Sequence, residues 1–262
     1  TSNLKITKLW FREKKLDSEV LASDFEVKQN ILSLVKLSEQ KPMTAKELLA
    51  SKELIWLRKH LGPACEKYGY IGFVIFNKEG RQVGSILDSS VGPSTLKDRS
   101  DFFKRSIKGS TVVSHPFTGD IDLPDVDGNY HKDWPTMFVS TPIKNQSGQI
   151  QAVLAFRIRP ETEFSELFNL NRFGESGETY AFSSTGVMLS ESRFTKDLRH
   201  WGLIPQDPWS HSILNIQIRD PQVNIQEGLK VSMSYFYAVL SFIKTDTKDS
   251  LKKYHIFFQP LY

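Results

Sequence analysis

F-G-E-S-G-E-T-Y-A-F-S-S-T-G-V-M-L-S-E-S-R-F, residues 173–194, decides the fold of this chain. It reads as a β-hairpin. Thr179, Tyr180 and Phe182 are β-branched or aromatic and suit a strand. Ser183-Ser184-Thr185-Gly186 is a polar turn that closes on glycine, and Val187 and Leu189 make the return strand. Gly174 and Gly177 bracket the entry, where backbone with positive φ is cheap only for glycine. Alone, the stretch fits a core hairpin of any mixed sheet. A second copy makes it more than that. Residues 70–86 read Y-I-G-F-V-I-F-N-K-E-G-R-Q-V-G-S-I, with Phe76 four residues before Gly80 as Phe182 stands four before Gly186. Two hairpins of one pattern, about one small domain apart, point to a duplicated module.

Outward from the first copy, residues 3–40 carry Ile6, Leu9, Leu16, Val20, Val27, Ile31 and Leu34 at spacings of three and four or their sum, with no Pro or Gly before Pro42. The expectation is one continuous helix on the order of 50 Å long. It should touch both modules, with Trp10 and Phe11 left for contact with a second copy of the chain. Thr44-Ala45-Lys46-Glu47 is a capping box that opens a second helix, running to Glu66 with a break at Gly62-Pro63. After the hairpin come a short helix at 98–108, a strand at 111–114, and a polar loop at 117–134. Strands at 137–143 and 150–158 follow, joined by Asn145-Gln146-Ser147-Gly148. This is the order of a PAS-like antiparallel sheet. Residues 161–169 form a connecting helix, 178–192 the second hairpin, 198–203 a helix and 214–218 a short strand.

The 262 residues suit one large or two small domains, and 39% hydrophobic with 12% aromatic residues supports ordinary cores. A net charge of +4 without a long basic run argues against nucleic acid. Cys65 is the single cysteine, so no intrachain disulfide and no cysteine-based metal site exists. No apolar run approaches the ~20 residues of a membrane span, and no signal peptide opens the chain.

Together with S-H-P-F at 114–117, P-T-M-F-V-S-T-P-I at 135–143 and G-Q-I-Q-A-V-L-A-F-R-I-R-P-E-T-E-F at 148–164, the opening string resembles the double Cache (dCache) sensor domains of bacterial receptors. The resemblance covers roughly residues 1–225. It implies an α+β fold, two PAS-like antiparallel-sheet modules stacked along a long N-terminal helix. Residues 1–41 would be the helix, 42–160 the membrane-distal Cache module and 161–262 the membrane-proximal one. That second module is atypical or incomplete after about residue 228, where the two expected closing strands are not legible. Either divergence or a shifted reading frame accounts for that tail. The resemblance also implies an extracytoplasmic location, membrane anchoring by flanking segments, and an output domain outside this chain.

Enzymatic motifs are scarce. There is no G-x-G-x-x-G, P-loop or H-E-x-x-H; residues 174–177 miss the G-x-S-x-G spacing, and no two of the six histidines stand at i, i+4. The acidic run 120–128 fails the EF-hand pattern, because placing Gly128 at the sixth position puts Leu123 first and Trp134 last. It reads as a solvated loop or lid. No catalytic residue, metal or cofactor is expected. What remains is a small-molecule site. Amino-acid-binding dCache domains carry R-x-W-Y on the short helix; here the matching positions hold Arg99, Asp101 and Phe102. Phe117 and Asp120 resemble a later aromatic and aspartate, while Arg157 falls where an aspartate holds the ligand ammonium. The resemblance therefore implies a ligand site of Arg99, Phe102, Phe117, Asp120 and Arg157 that favours an anion such as a carboxylate. The competing readings are a ligand-free dimerisation module and a hydrolytic enzyme. In another alternative, Asp98, Asp101 or Asp120 simply neutralises the arginines.

Overall fold

A computed structural model of the chain describes residues 2–40, 43–92, 101–169, 178–218 and 238–242. The protein is α+β, with an N-terminal pair of helices followed by two PAS-like antiparallel-sheet modules. Two compact units divide it, one holding Phe11–Arg159 and the other Thr1–Trp10 with Pro160–Tyr262.

The N-terminal helix is not continuous. Helix α1 (Ser2–Ser23) stops at Asp24 and α2 (Phe25–Gln40) begins there. The Asp24 carboxylate accepts the Val27 N–H at 2.9 Å, which caps α2 and competes with continuation of the helix. Burial changes face at this junction. In α2 the apolar residues Val27, Ile31, Leu34 and Val35 are buried. In α1 the buried positions are Thr7, Trp10, Lys14, Ser18 and Ala22, spaced by three and four, whereas Leu9, Leu16 and Val20 are 53, 49 and 62% exposed. Specific partners hold the polar side in. Ser18 hydrogen-bonds Thr141 at 2.7 Å, and Lys14 donates to the Tyr68 carbonyl at 3.3 Å while lying over the Tyr70 ring. Trp10 is also spoken for, since its ring stands 5.7 Å from that of Phe164.

Thr44 and Glu47 form the expected capping box, but helix α3 (Ala45–Leu49) is short and α4 (Lys52–Lys67) starts anew on Ser51. Pro63 lies inside α4 rather than ending it. An interior proline costs about 3 kcal/mol. Leu54, Leu57, Leu61 and Cys65 are buried along one face of α4. At ~1.5–3 kcal/mol per large apolar side chain, that burial outweighs the proline.

The larger sheet contains β1 (Gly72–Asn77), β2 (Gln82–Ser85), β3 (Val112–Val113), β4 (Phe117–Thr118), β7 (Pro135–Lys144) and β8 (Ile150–Ile158). Its order is β2-β1-β8-β7-β3, β4 also pairs with β7, and every pairing is antiparallel. Register sorts the residues. Phe73, Ile75, Leu154 and Phe156 share one face, which meets α2 and α4; at Gly84 an added Cβ would lie 2.9 Å from Leu34 and 3.2 Å from Leu54. Val74, Phe76, Val153, Ala155 and Phe138 share the other face, onto which helix α5 (Asp101–Ser106) packs Phe102 and Phe103. Between β4 and β7, the stretch expected as a solvated loop forms a small hairpin, β5 (Leu123–Pro124) with β6 (Tyr130–His131).

In the second unit a π-helical turn at Pro160–Phe164 leads into α6 (Ser165–Asn169). Strand β9 (Glu178–Phe182) turns back so that Met188 bridges Phe182 and Val187 bridges Gln217. Helix α7 (Thr195–His200) follows, three residues earlier than the sequence suggests. The tail is not without strands: β10 (Ala238–Phe242) pairs antiparallel with β9.

One turn recurs four times among the described residues. In Asn77–Arg81, Asp125–Asn129, Asn145–Gln149 and Ser183–Val187 the first backbone N–H donates to the fifth carbonyl at 2.8–3.0 Å. The glycines at the fourth position have φ of 80, 86, 78 and 82°. In each, the first side chain also accepts the fifth N–H, at 2.8, 2.8, 2.9 and 3.1 Å. A type I turn followed by a left-handed glycine explains both the Phe–Gly spacing of the two hairpins and the need for Asn, Asp or Ser ahead of it.

Candidate functional site

The site lies at one end of the α5-covered face of the larger sheet. Register places Arg157 of β8 between Gly72 of β1 and Phe138 of β7. Gly72 leaves that side without a side chain; a Cβ there would stand 2.0 Å from Ile86. Phe138 fills the other side, with the guanidinium 4.5 Å above its ring centroid. Arg157 is 2% exposed. Its ion-pair partner is Asp120, at 3.6 Å, and Thr136 Oγ1 lies at 3.4 Å. Both distances are long for charge-assisted contacts, which run near 2.8 Å. Burial pulls the Arg157 guanidinium down to about 10, against the attraction of Asp120, so it stays charged at neutral pH. Asp120, 24% exposed, also accepts from the Gln82 amide at 3.3 Å.

The segment carrying Asp120 is built rather than slack. Gly119 donates to the Trp134 carbonyl at 2.8 Å, and a Cβ at Gly119 would crowd that oxygen at 3.0 Å. Beyond it, the buried Asp125 carboxylate accepts the N–H groups of Asp127 and Asn129 at 2.9 and 2.8 Å. It also pairs with His131 Nε2 at 2.9 Å, and His131 stacks on Trp134. Arg159 donates to the carbonyls of Pro124 and Asp125, both at 3.1 Å.

No family model and no curated protein matches the chain. Among solved structures it is similar to the sensor domain of the V. cholerae histidine kinase DctB, at 15% identity and a TM-score of 0.46, over 66% of this chain and 56% of that one. It is similar to the ligand-binding domain of the Pseudomonas aeruginosa amino acid chemoreceptor PctB in complex with L-Arg, at 16% identity and a TM-score of 0.41, over 71% of this chain and 65% of that one. For the E. coli DcuS sensor domain the identity is 14% and the TM-score 0.39, over 62% of this chain and 95% of that one. In the first two, the match spans less than two thirds of the other chain.

Of the five residues read from the sequence, Phe102, Phe117 and Arg157 meet around Phe138, and Asp120 joins them through Arg157. Phe102 stacks on Phe117 at 6.2 Å, and both rings contact Phe138 at 5.2 and 5.7 Å. Arg99 lies outside the described residues. Sequence reasoning missed Gln82, Thr136 and Arg159. Thr136, the second residue of β7, is a polar residue leading the apolar run Met137-Phe138-Val139, which was the available signal there; Gln82, opening β2 after Arg81, gave none. Among the described residues no cluster of three His, Cys, Asp or Glu side chains could hold a metal ion. No described helix is long and apolar enough to cross a membrane.

The Asp125 hub gives a pH prediction. Chiefly through the His131 hydrogen bond, and then through Asn129 and Asp127, its carboxyl is held down to about 2. A lowered carboxyl stabilises the fold above its unfolded value of about 4 and loses that contribution as pH falls toward 2. Asp125→Asn should therefore be less stable than the wild type in urea at pH 7. The gap should close between about pH 4 and pH 2. A gap that stays constant over this range would remove Asp125 from the account.

Proposed function

We propose that the chain is the small-molecule-sensing region of a bacterial transmembrane signalling receptor. It lies outside the cytoplasm, with 42–160 as the membrane-distal module and 161–262 as the proximal one. Its ligand is an anion, a carboxylate, held by Arg157 in the distal module. One observation carries this reading: a buried guanidinium whose acceptors are both long. Asp120 is partly exposed and bridges Arg157 and Gln82 loosely, so it occupies the place an incoming carboxylate would take. Two short charge-assisted bonds would replace one long ion pair. The occupant can signal only by preferring one arrangement of the chain over another, and Asp120 and the folded segment behind it are the parts that exchange of carboxylates would move. The outward-facing Leu9, Leu16 and Val20 of α1 support a homodimer through the N-terminal helix.

Thermal unfolding of the whole chain tests the ligand. Small mono- and dicarboxylates should raise the midpoint in proportion to the logarithm of concentration, as linkage requires. Arg157→Ala should abolish that rise, while Thr136→Val keeps most of it. Equal stabilisation by neutral or cationic amino acids, or a rise unchanged in Arg157→Ala, would place binding elsewhere.

A further inference from the structure

The two modules use the same sheet face differently. In the first unit, α5 lays Phe102 and Phe103 on the face beside Val74 and Phe76 and fills it. In the second unit, Tyr180, Phe182 and Met188 form the equivalent apolar patch with Ile216 and Ile218, but α7 buries none of its residues. A cavity of about 330 Å³ remains between patch and helix, within the range of small-molecule sites. Its walls include Tyr180, Met188, Ile216, Leu198 and Trp201.

One wall carries a charge. Glu178, the first residue of β9, lines the cavity. Its Oε2 accepts from Ser192 Oγ at 2.9 Å and its Oε1 from the Arg193 N–H at 2.6 Å. These two bonds fix the carboxylate and leave half of its roughly four acceptor positions. Two other charged groups face it. Arg193 is exposed and carried over the Phe194 ring, and Glu191 is engaged by His211 at 3.2 Å. Burial pushes the Glu178 carboxyl up, against the pull of its two hydrogen bonds and of the Arg193 charge, and a cation inside the cavity would relieve more of that penalty. An apolar chamber with one oriented carboxylate selects a particular chemistry: an ammonium group on an apolar body.

We infer that the second module binds a small hydrophobic primary amine in this cavity, with the ammonium on Glu178 and the body between Tyr180, Met188 and Ile216. This site is separate from Arg157 and opposite in charge preference, so the chain reads two ligands of different sign.

The test is calorimetric titration of the whole chain with 2-phenylethylamine, 2-phenylethanol and 3-phenylpropionate. The amine should bind saturably and at least about tenfold more tightly than the alcohol, because a hydrogen bond to a charged group contributes roughly 1.5–3 kcal/mol. Glu178→Gln, which keeps the shape and an acceptor for Ser192, should remove that preference. Met188→Trp should fill the cavity and abolish binding of both amine and alcohol. Arg157→Ala should leave the amine unaffected, so failure here is distinguishable from failure of the carboxylate site. Equal affinity for amine and alcohol, full amine binding in Glu178→Gln, or no binding of any probe would overturn the inference.

Discussion

Asp120→Ala should cost about 3 kcal/mol of stability, a fall on the order of 10 °C in the unfolding midpoint. The Arg157 guanidinium stays buried when its partner is removed, and breaking one side of a buried pair costs more than the pair itself contributes. The expected loss is at the lower end of the roughly 3–5 kcal/mol that breaking a buried pair costs, because Asp120 is partly exposed and the pair is long. Arg157→Met in the same chain should recover most of the loss, since an apolar side chain fits beside Phe138 without a charge to compensate. The same variant sharpens the functional reading. With its internal competitor gone, Asp120→Ala should be stabilised by acetate more strongly than the wild type is. An Asp120→Ala protein as stable as the wild type would show that the aspartate does not hold Arg157. Recovery by Arg157→Met without any response to acetate would leave the pair purely structural.

Leu16→Glu with Val20→Glu should turn a dimer into a monomer. Leu9, Leu16 and Val20 fall at d, d and a of a heptad on α1, facing away from the buried Lys14 and Ser18. Glu13 takes the intervening a position, so the stripe is short and the proposed dimer should be weak. Each apolar side chain covered by a partner is worth ~1.5–3 kcal/mol. Two lost from each protomer, with like charges put in their place, should raise the dissociation constant at least about a hundredfold. Sedimentation equilibrium over a wide concentration range reads this directly. A wild-type chain whose mass does not change with concentration would end the proposal.

How much of this was legible in the sequence depended on the range of the forces involved. The turns were readable because Asn77, Asn145 and Ser183 close their loops with their own side chains and a glycine, all within five residues. The capping box at Thr44 is local in the same way. The buried face of α1 is not legible, because periodicity shows that a helix has two faces without showing which is buried. Thr141 and the Tyr68 carbonyl, far along the chain, decided that. The break at Asp24 had a local signal, an aspartate ahead of a helical run, which the unbroken apolar spacing obscured. Pro63 survived inside α4 because tertiary burial outweighed a backbone rule. At the site, Arg157 and Asp120 were reached through resemblance. Gln82 and Thr136 were not, since their role exists only once the fold sets Asp120 against Gln82 and Thr136 against Arg157.

The recurring turn should also order the assembly. β1 with β2, and β7 with β8, each form around a loop of a few residues, on the microsecond scale of isolated hairpins. Their registers should be settled before they meet. The sheet is then completed along one seam, β1 against β8, whose partners run from Gly72–Arg157 to Asn77–Ala152. Closing so long a loop carries the larger entropic cost, so this seam is the slow and error-prone step. A slip of one residue there would set Phe73 beside Arg157 in place of Gly72, and would turn Val74 and Phe76 out of the aromatic cluster. The arginine comes to face its site only in chains whose last pairing is the correct one.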